Sequence, residues 1–310
     1  MILITGTSGL LGASLVTRAH DLGHEVAGLY YQHPLQIPGV KTFSADLKDG
    51  QSIRDLIADL RPKTIIHCAA ATNVDWCEEH PQETERINVQ VSVSLAEMAR
   101  KAGARLVFIS TDSVFDGKRG NYAETDEPAP LNTYACSKLR AEREILQQDT
   151  DALVVRVNIY GWNAQDKQSL AEWILSEMTA GKRVPGFTDV HFSPILANDL
   201  ADVLLDMSGH ELSGLYHVAG SERISKYEFA RQVAETFGFD PGRIVPTPMA
   251  VAHLRAPRPS DVSLNTELIS KTLGYAMPDV KSGLQKFKEL NEQEFPQRLK
   301  SYLIGANAWN

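Results

Sequence analysis

The sequence predicts an α/β protein, a doubly wound parallel sheet followed by a smaller C-terminal region. Three observations carry this expectation. Short β-branched runs alternate with amphipathic stretches through the first half, the runs are apolar throughout rather than at every second residue, and a glycine-rich turn follows the first of them. Continuously apolar strands belong to parallel sheets covered on both faces, and their alternation with helical patterns describes βαβ units.

Taken in order, the expected elements are a strand at Ile2–Thr5 and a helix at Leu10–Leu22, a strand at Glu25–Tyr30, and a strand at Lys41–Ala45 with a helix at Gln51–Leu60. Thr64–Cys68 with Glu83–Lys101, then Arg105–Ser110, complete the series, and Ala152–Val157 continues the sheet. The strand order expected of this Rossmann arrangement is 3-2-1-4-5-6. Asp116–Asn121 and the proline-rich Glu127–Pro130 form a long loop before the helical stretch Thr133–Gln148, and long loops in compact domains are usually functional. From about residue 160 the βαβ rhythm is lost, so the chain divides into residues 1–160 and an interleaved region, 161–310. The polar stretch Asn291–Asn310, with Pro296, shows no readable role.

Composition bounds the function. With 310 residues, 43% hydrophobic and 23% charged, the chain can bury a substantial core. A formal net charge of -8 argues against nucleic acid as a partner. No apolar run reaches the roughly 18 residues that a membrane helix needs, and Ile2–Thr5 follows Met1 with no room for a leader, so a soluble, cytoplasmic protein is expected. Cys68, Cys77 and Cys136 form no Cys-x-x-Cys pair and have no His at ligand spacing, so neither a disulfide nor a metal site is expected.

The chemistry begins at Thr5–Gly12, where Gly6, Gly9 and Gly12 stand three apart around Ser8, Leu10 and Leu11. Such a turn between a first strand and a first helix lets the backbone approach a dinucleotide pyrophosphate at the helix N-terminus. The second strand ends Gly28-Leu29-Tyr30-Tyr31-Gln32-His33, without the carboxylate that would bond an adenosine ribose and repel a 2′-phosphate. NADPH is therefore favoured over NADH, with Tyr30 at the strand end beside it. After the third strand, Asp46-Leu47 suits the adenine amino group, although Asp46 would equally cap the following helix.

Of the nine tyrosines only Tyr134 has a lysine four residues on, Lys138. That step puts both side chains on one helix face, where an ammonium favours the phenolate and lets the phenol act as a general acid. Ser110-Thr111-Asp112, at the end of the fifth strand, offers hydroxyls to the same pocket.

With these residues in view the chain resembles the extended short-chain dehydrogenases, and among them the dTDP-4-dehydrorhamnose reductase branch. The likeness rests on Thr5–Gly12, His67–Glu78, Ile109–Gly117, Tyr134–Leu139 and Arg258–Asn265, together spanning residues 1 to about 275. It implies that Thr111 polarises the substrate carbonyl, that Tyr134 delivers the proton, and that Lys138 holds the nicotinamide ribose and lowers the tyrosine pKa. It further implies that Ala69 and Ala70 line the cofactor cleft, that Asn88 sits behind the active site, and that Thr72, Val74, Asn158 and Arg258 meet the substrate. Arg258 would fork onto a diphosphate, with Arg255 as a second donor. Residues 1–160 become an NAD(P)-binding domain and 161–310 mainly a substrate-binding region. A nucleotide-linked sugar is the implied substrate and a homodimer the implied assembly.

Two stretches depart from the branch. Ala71 stands where an aromatic residue is common, and Arg156-Val157-Asn158-Ile159-Tyr160-Gly161-Trp162 replaces an Arg-Thr-Ser-Trp-Val-Tyr-Gly segment, losing the tryptophan that packs on the sugar. Trp162 either substitutes for that ring or fills the core. Asp75, Glu78 and Glu79 read as a solvated helix start rather than a Mg²⁺ site. Two other readings stay open: an epimerase or dehydratase that retains its NAD, and a non-catalytic regulatory subunit similar to the β subunit of methionine adenosyltransferase.

Overall fold

The computed structural model describes residues 1–252 and 255–304. Its centre is a seven-stranded, all-parallel sheet. Six strands come from the first half: β1 Ile2–Thr5, β2 Val26–Tyr30, β3 Lys41–Ser44, β4 Thr64–His67, β5 Arg105–Thr111 and β6 Leu153–Val157. Their order across the sheet is β3-β2-β1-β4-β5-β6, as the alternation predicts, with Gly214–His217 added as the edge strand beside β6. Chain progression reverses between β1 and β4. In doubly wound sheets the crevice beyond the carboxyl ends of the strands at that point is where ligands bind.

Both faces of the sheet are covered. On one side α1 (Leu10–Asp21) buries Leu11, Leu15, Val16 and Ala19 in a cluster with Ile4, Ile66 and Val107. On the other, α2 (Gly50–Leu60), the helical segment ending in Val91–Lys101 and the helix Thr133–Gln148 cover Leu3, Ala27, Ile65 and Leu106 through Ile53, Ile57, Leu95 and Ile145. This double burial is why the strands lack a polar alternation. Asp49, not Asp46, caps α2, its side chain accepting from the Ser52 N–H. Asp46 accepts from the Lys48 N–H in the preceding turn at 3.0 Å.

The expected helix Glu83–Lys101 is interrupted. It consists of α3 (Val74–Glu79), α4 (Pro81–Glu85), a π-type turn at Arg86–Gln90 and α5 (Val91–Lys101). The extra residue of a π turn swings Asn88 inward, and such turns recur at functional sites. Beyond α6 (Thr133–Gln148), the second half interleaves with the first, since α8 (Ala197–Gly209), which follows α7 (Leu170–Thr179), packs its Leu200, Ala201 and Leu204 into the cluster of α1.

Trp162 is a core residue. It stacks on Phe287 with centroids 4.1 Å apart, and its indole N–H donates to the Phe287 carbonyl at 3.0 Å. The polar C-terminal stretch also has a structural role, because Phe295–Ser301 forms a helix with Pro296 in its first turn, burying Phe295 and Leu299. Beyond that helix the Gln36 N–H donates to the Tyr302 carbonyl at 2.7 Å, and Leu303 bridges Leu35. Residues 305–310 of that stretch lie outside the described residues.

Candidate active site

A cavity of about 670 Å³ lies at the carboxyl ends of β1, β4, β5 and β6. Its floor begins at the glycine turn. Gly6 has φ +68° and sits so close to the Ala69 backbone that a Cβ would come within 2.8 Å of the Ala69 nitrogen. A Cβ on Gly12 would meet the Gly6 carbonyl oxygen at 2.1 Å. Gly9 begins α1 with no side-chain cap, and no acidic residue occupies the first turn. The helix therefore presents uncapped N–H groups and the positive end of its dipole to the cavity. Gly12→Ala is expected to abolish dinucleotide binding, since the turn must open by more than an ångström to admit the methyl; titration of NADPH fluorescence reads it, and wild-type affinity would contradict the geometry.

The predicted residues divide by position. Gly6, Ser8, Gly9, Leu10, Leu11, Gly12, Asp46, Leu47, Ala69, Ala70, Thr72, Thr111, Tyr134, Lys138 and Asn158 all line this one cavity. Tyr30, Val74 and Arg258 do not. At the second strand's end it is Tyr31, Gln32 and His33 that face the cavity. Val74 opens α3, capped by Asn73. Arg258 is already bound, with Nη2 on Asp75 Oδ1 and Nη1 on the Ala256 carbonyl, each at 3.0 Å. Both terminal nitrogens of Arg258 are thus engaged outside the cavity lining. The neighbouring acids do the same structural work: Asp75 also accepts from the Ala256 N–H at 3.1 Å, Glu79 pairs with Arg255, and Glu78 accepts from the Thr133 N–H at 2.9 Å. Among the described residues no cluster of His, Cys, Asp or Glu could hold a metal ion.

At the reaction end, α6 is started by Asn132, whose side chain accepts from the Ala135 N–H at 2.9 Å. That cap orients the first turn so that Tyr134 and Lys138 share the cavity face. At Tyr134 burial dominates and pushes the hydroxyl pKa up, against the influence of Thr111 and with the charge of Asp112 adding to the effect. Lys138 is 2% exposed, donates to the Ile109 carbonyl at 2.7 Å and lies over the Phe108 ring. Burial pushes its pKa down to about 7, against the opposing charge of Glu142. Here the structure differs from expectation. The ammonium donates to the Ile109 carbonyl, and burial keeps the Tyr134 phenol a protonated donor across the physiological range.

Asp112 is buried and its carboxyl is pushed up to about 6, moderated by hydrogen bonds from Asn158 at 2.5 Å and from Thr111 and Ser113 at 3.2 Å. Asn158 is thus oriented by Asp112, just beyond β5, rather than free. Asn88, from the π turn, clamps the alanine turn: its Oδ1 accepts from the Ala71 N–H at 2.8 Å while Nδ2 donates to the Ala71 carbonyl and to Ser137 Oγ. One side chain thereby ties the cofactor-facing turn to the helix carrying Tyr134 and Lys138.

Sequence reading missed Asn163, Gln165 and Lys167, which also line the cavity. They lie in the segment just before α7, where Ser169 and Glu172 form a capping box. The Ser-x-x-Glu spacing is the signal that would have located that helix start and, with it, the loop leading into it.

A model of the family described as the RmlD substrate binding domain matches residues 1–292. The chain belongs to that family. Its resemblance to the extended short-chain dehydrogenases is thus met over most of its length, and it stands among their nicotinamide-dependent oxidoreductases. It is similar to "Probable low-salt glycan biosynthesis reductase Agl14" of Haloferax volcanii, 31% identical over 91% of this chain and 95% of that one. It is also similar to methionine adenosyltransferase 2 subunit beta of Danio rerio, 31% identical over 85% of this chain and 82% of that one. A solved structure of dTDP-4-dehydrorhamnose reductase from Bacillus anthracis, in complex with NADP, superposes with a TM-score of 0.81 at 26% identity, covering 93% of this chain and 97% of that one. No helix among the described residues is long and apolar enough to cross a membrane.

Proposed function

We propose that the protein reduces a keto group on a nucleotide-linked sugar, taking hydride from NADPH. The observation that carries this reading is one cavity holding an uncapped helix N-terminus behind three glycines at one end and the Thr111, Tyr134 and Lys138 side chains at the other. The residues present fit a dinucleotide: Gly6 and Gly12 leave no room for a side chain, and the first-turn N–H groups of α1 suit a pyrophosphate. Asp46 and Leu47 would lie at the adenine end, Ala69 and Ala70 along the cleft wall, and Lys138 at the nicotinamide ribose. The B. anthracis reductase, solved with NADP, supports the choice of cofactor, as does the absence of a carboxylate at Tyr30–His33.

When bound, the reduced nicotinamide supplies a hydride. The chain's own residues supply the rest. Thr111, whose Oγ1 accepts from the Ser113 N–H and donates to Asp112 Oδ1, each at 3.2 Å, would polarise the carbonyl oxygen. Tyr134, kept protonated by burial, would give its proton to that oxygen as negative charge develops there. Asp112 and Asn158, bonded to one another at the cavity wall, would set which sugar hydroxyls are accepted.

The relatives named as methionine adenosyltransferase subunits favour a second reading, in which the site binds NADP without turnover. Incubating the protein with NADPH and a panel of nucleotide-linked keto sugars separates the two. Loss of reduced-nicotinamide absorbance with at least one sugar is expected. Binding of NADPH without consumption across the panel would favour the regulatory reading.

A further inference from the structure

We propose that Lys167 is the cation that holds the diphosphate of the nucleotide sugar, an assignment that rests on the reductase reading above. Among the described residues the cavity lining contains three lysines and no arginine. Lys138 is buried and committed to the Ile109 carbonyl. Lys48 lies 3.2 Å from Glu83 and 3.9 Å from Asp46. Lys167 is exposed, has no acidic partner among the described residues, and its Nζ donates only to Thr72 Oγ1, at 2.9 Å. A neutral hydroxyl is an acceptor that a phosphate oxygen readily displaces, because a charge-assisted bond is the stronger one.

The segment bearing Lys167 is a fixed arch rather than a loose loop. Ser169 Oγ donates to the Gly161 carbonyl at 2.6 Å, the Asn163 N–H to Glu172 Oε1 at 2.9 Å, and the Gln165 N–H to Asn163 Oδ1 at 3.1 Å. The capping box of Ser169 and Glu172 holds the far foot and engages the Glu172 carboxylate. From this arch two side chains cross the cavity. Gln165 Nε2 reaches the Ser8 carbonyl of the glycine turn at 2.9 Å, which places it on the cofactor's side. Lys167 reaches Thr72, beyond the alanine turn, which places it on the other side.

Charge makes the same demand. The lining already holds Asp46 and Asp112, and the whole chain carries a formal charge of -8. A diphosphate entering such a site needs an uncommitted cation. Arg258 is spoken for by Asp75 and Ala256.

Calorimetric titration of dTDP, UDP, thymidine, uridine and NADPH into wild type, Lys167→Met and Lys167→Arg tests the assignment. For whichever nucleoside diphosphate wild type binds tighter, Lys167→Met is expected to weaken binding about tenfold, the worth of one charge-assisted bond. Affinity for the nucleoside and for NADPH stays within about twofold, and Lys167→Arg recovers most of the loss. Unchanged diphosphate affinity in Lys167→Met overturns the assignment, as does a loss that falls on NADPH instead, or wild type binding neither diphosphate more tightly than its nucleoside. The reading it rests on fails differently: wild type would then bind the diphosphate through Lys167 yet oxidise no NADPH with any nucleotide sugar.

Discussion

Tyr134→Phe is expected to lower kcat by about 10²–10⁴-fold, the range that one positioned general acid contributes, while the affinity for NADPH stays close to that of wild type. The phenol ring is kept and only its hydroxyl is lost, so the effect falls on proton delivery and not on the cavity. Because Tyr134 carries a pKa raised by burial, its protonated fraction is full at neutral pH. Any decline in wild-type reduction between neutral and mildly alkaline pH is therefore expected to belong to other groups. Steady-state kinetics at saturating NADPH, beside a direct binding titration, separate the two parameters. A variant that keeps more than about a tenth of wild-type kcat would remove Tyr134 from the proton-donor role.

Arg156→Met is expected to cost about 3–5 kcal/mol of stability, the usual consequence of leaving one member of a buried ion pair alone. Glu142 and Arg156 are 2% and 3% exposed and meet through bonds of 2.7 and 3.1 Å. Ser110 Oγ also donates to Glu142, and Arg156 Nη1 lies 3.3 Å from His217 Nε2. Burial pushes the His217 imidazole down to about 3, with the Arg156 charge adding to it, so that ring is neutral and free to accept. This network joins α6, one turn beyond Lys138, to β5 just before Thr111, to β6 and to the edge strand. Denaturant melts of Arg156→Met and of Glu142→Leu/Arg156→Met give the check. The single variant should be the less stable of the two, because replacing both charges removes the unpaired carboxylate. A single variant melting within about 1 kcal/mol of wild type would show that Glu142 finds water or another partner.

The sheet and its order were legible because double burial writes itself into continuous apolar runs, and because a glycine turn after β1 marks the switch point. The two ends of the cavity were legible for local reasons, as Gly6–Gly12 and Tyr134–Lys138 each act through near neighbours. What was not legible depends on distant contacts. Arg258 reads as a free fork until Asp75, nearly two hundred positions earlier, is seen to hold it. The π turn at Asn88 inserts one residue into an otherwise helical pattern, and no composition signal announces that. Trp162 could serve a sugar or the core by sequence, with the core or surface favoured, and its stacking on Phe287 decides for the core. The tyrosine pKa runs the other way for a related reason: a four-residue step puts an ammonium near a phenol, but burial of that phenol in the assembled cavity pushes its pKa up.

The most direct test of the reductase reading follows a label. Wild type is incubated with NADPH carrying deuterium at the transferable position of the nicotinamide and with a nucleotide-linked keto sugar, and the product is analysed by mass spectrometry and NMR. One deuterium on the carbon that bore the carbonyl, with one NADPH consumed per product, is the predicted result. Product without label, or product formed with no net consumption of NADPH, would contradict it.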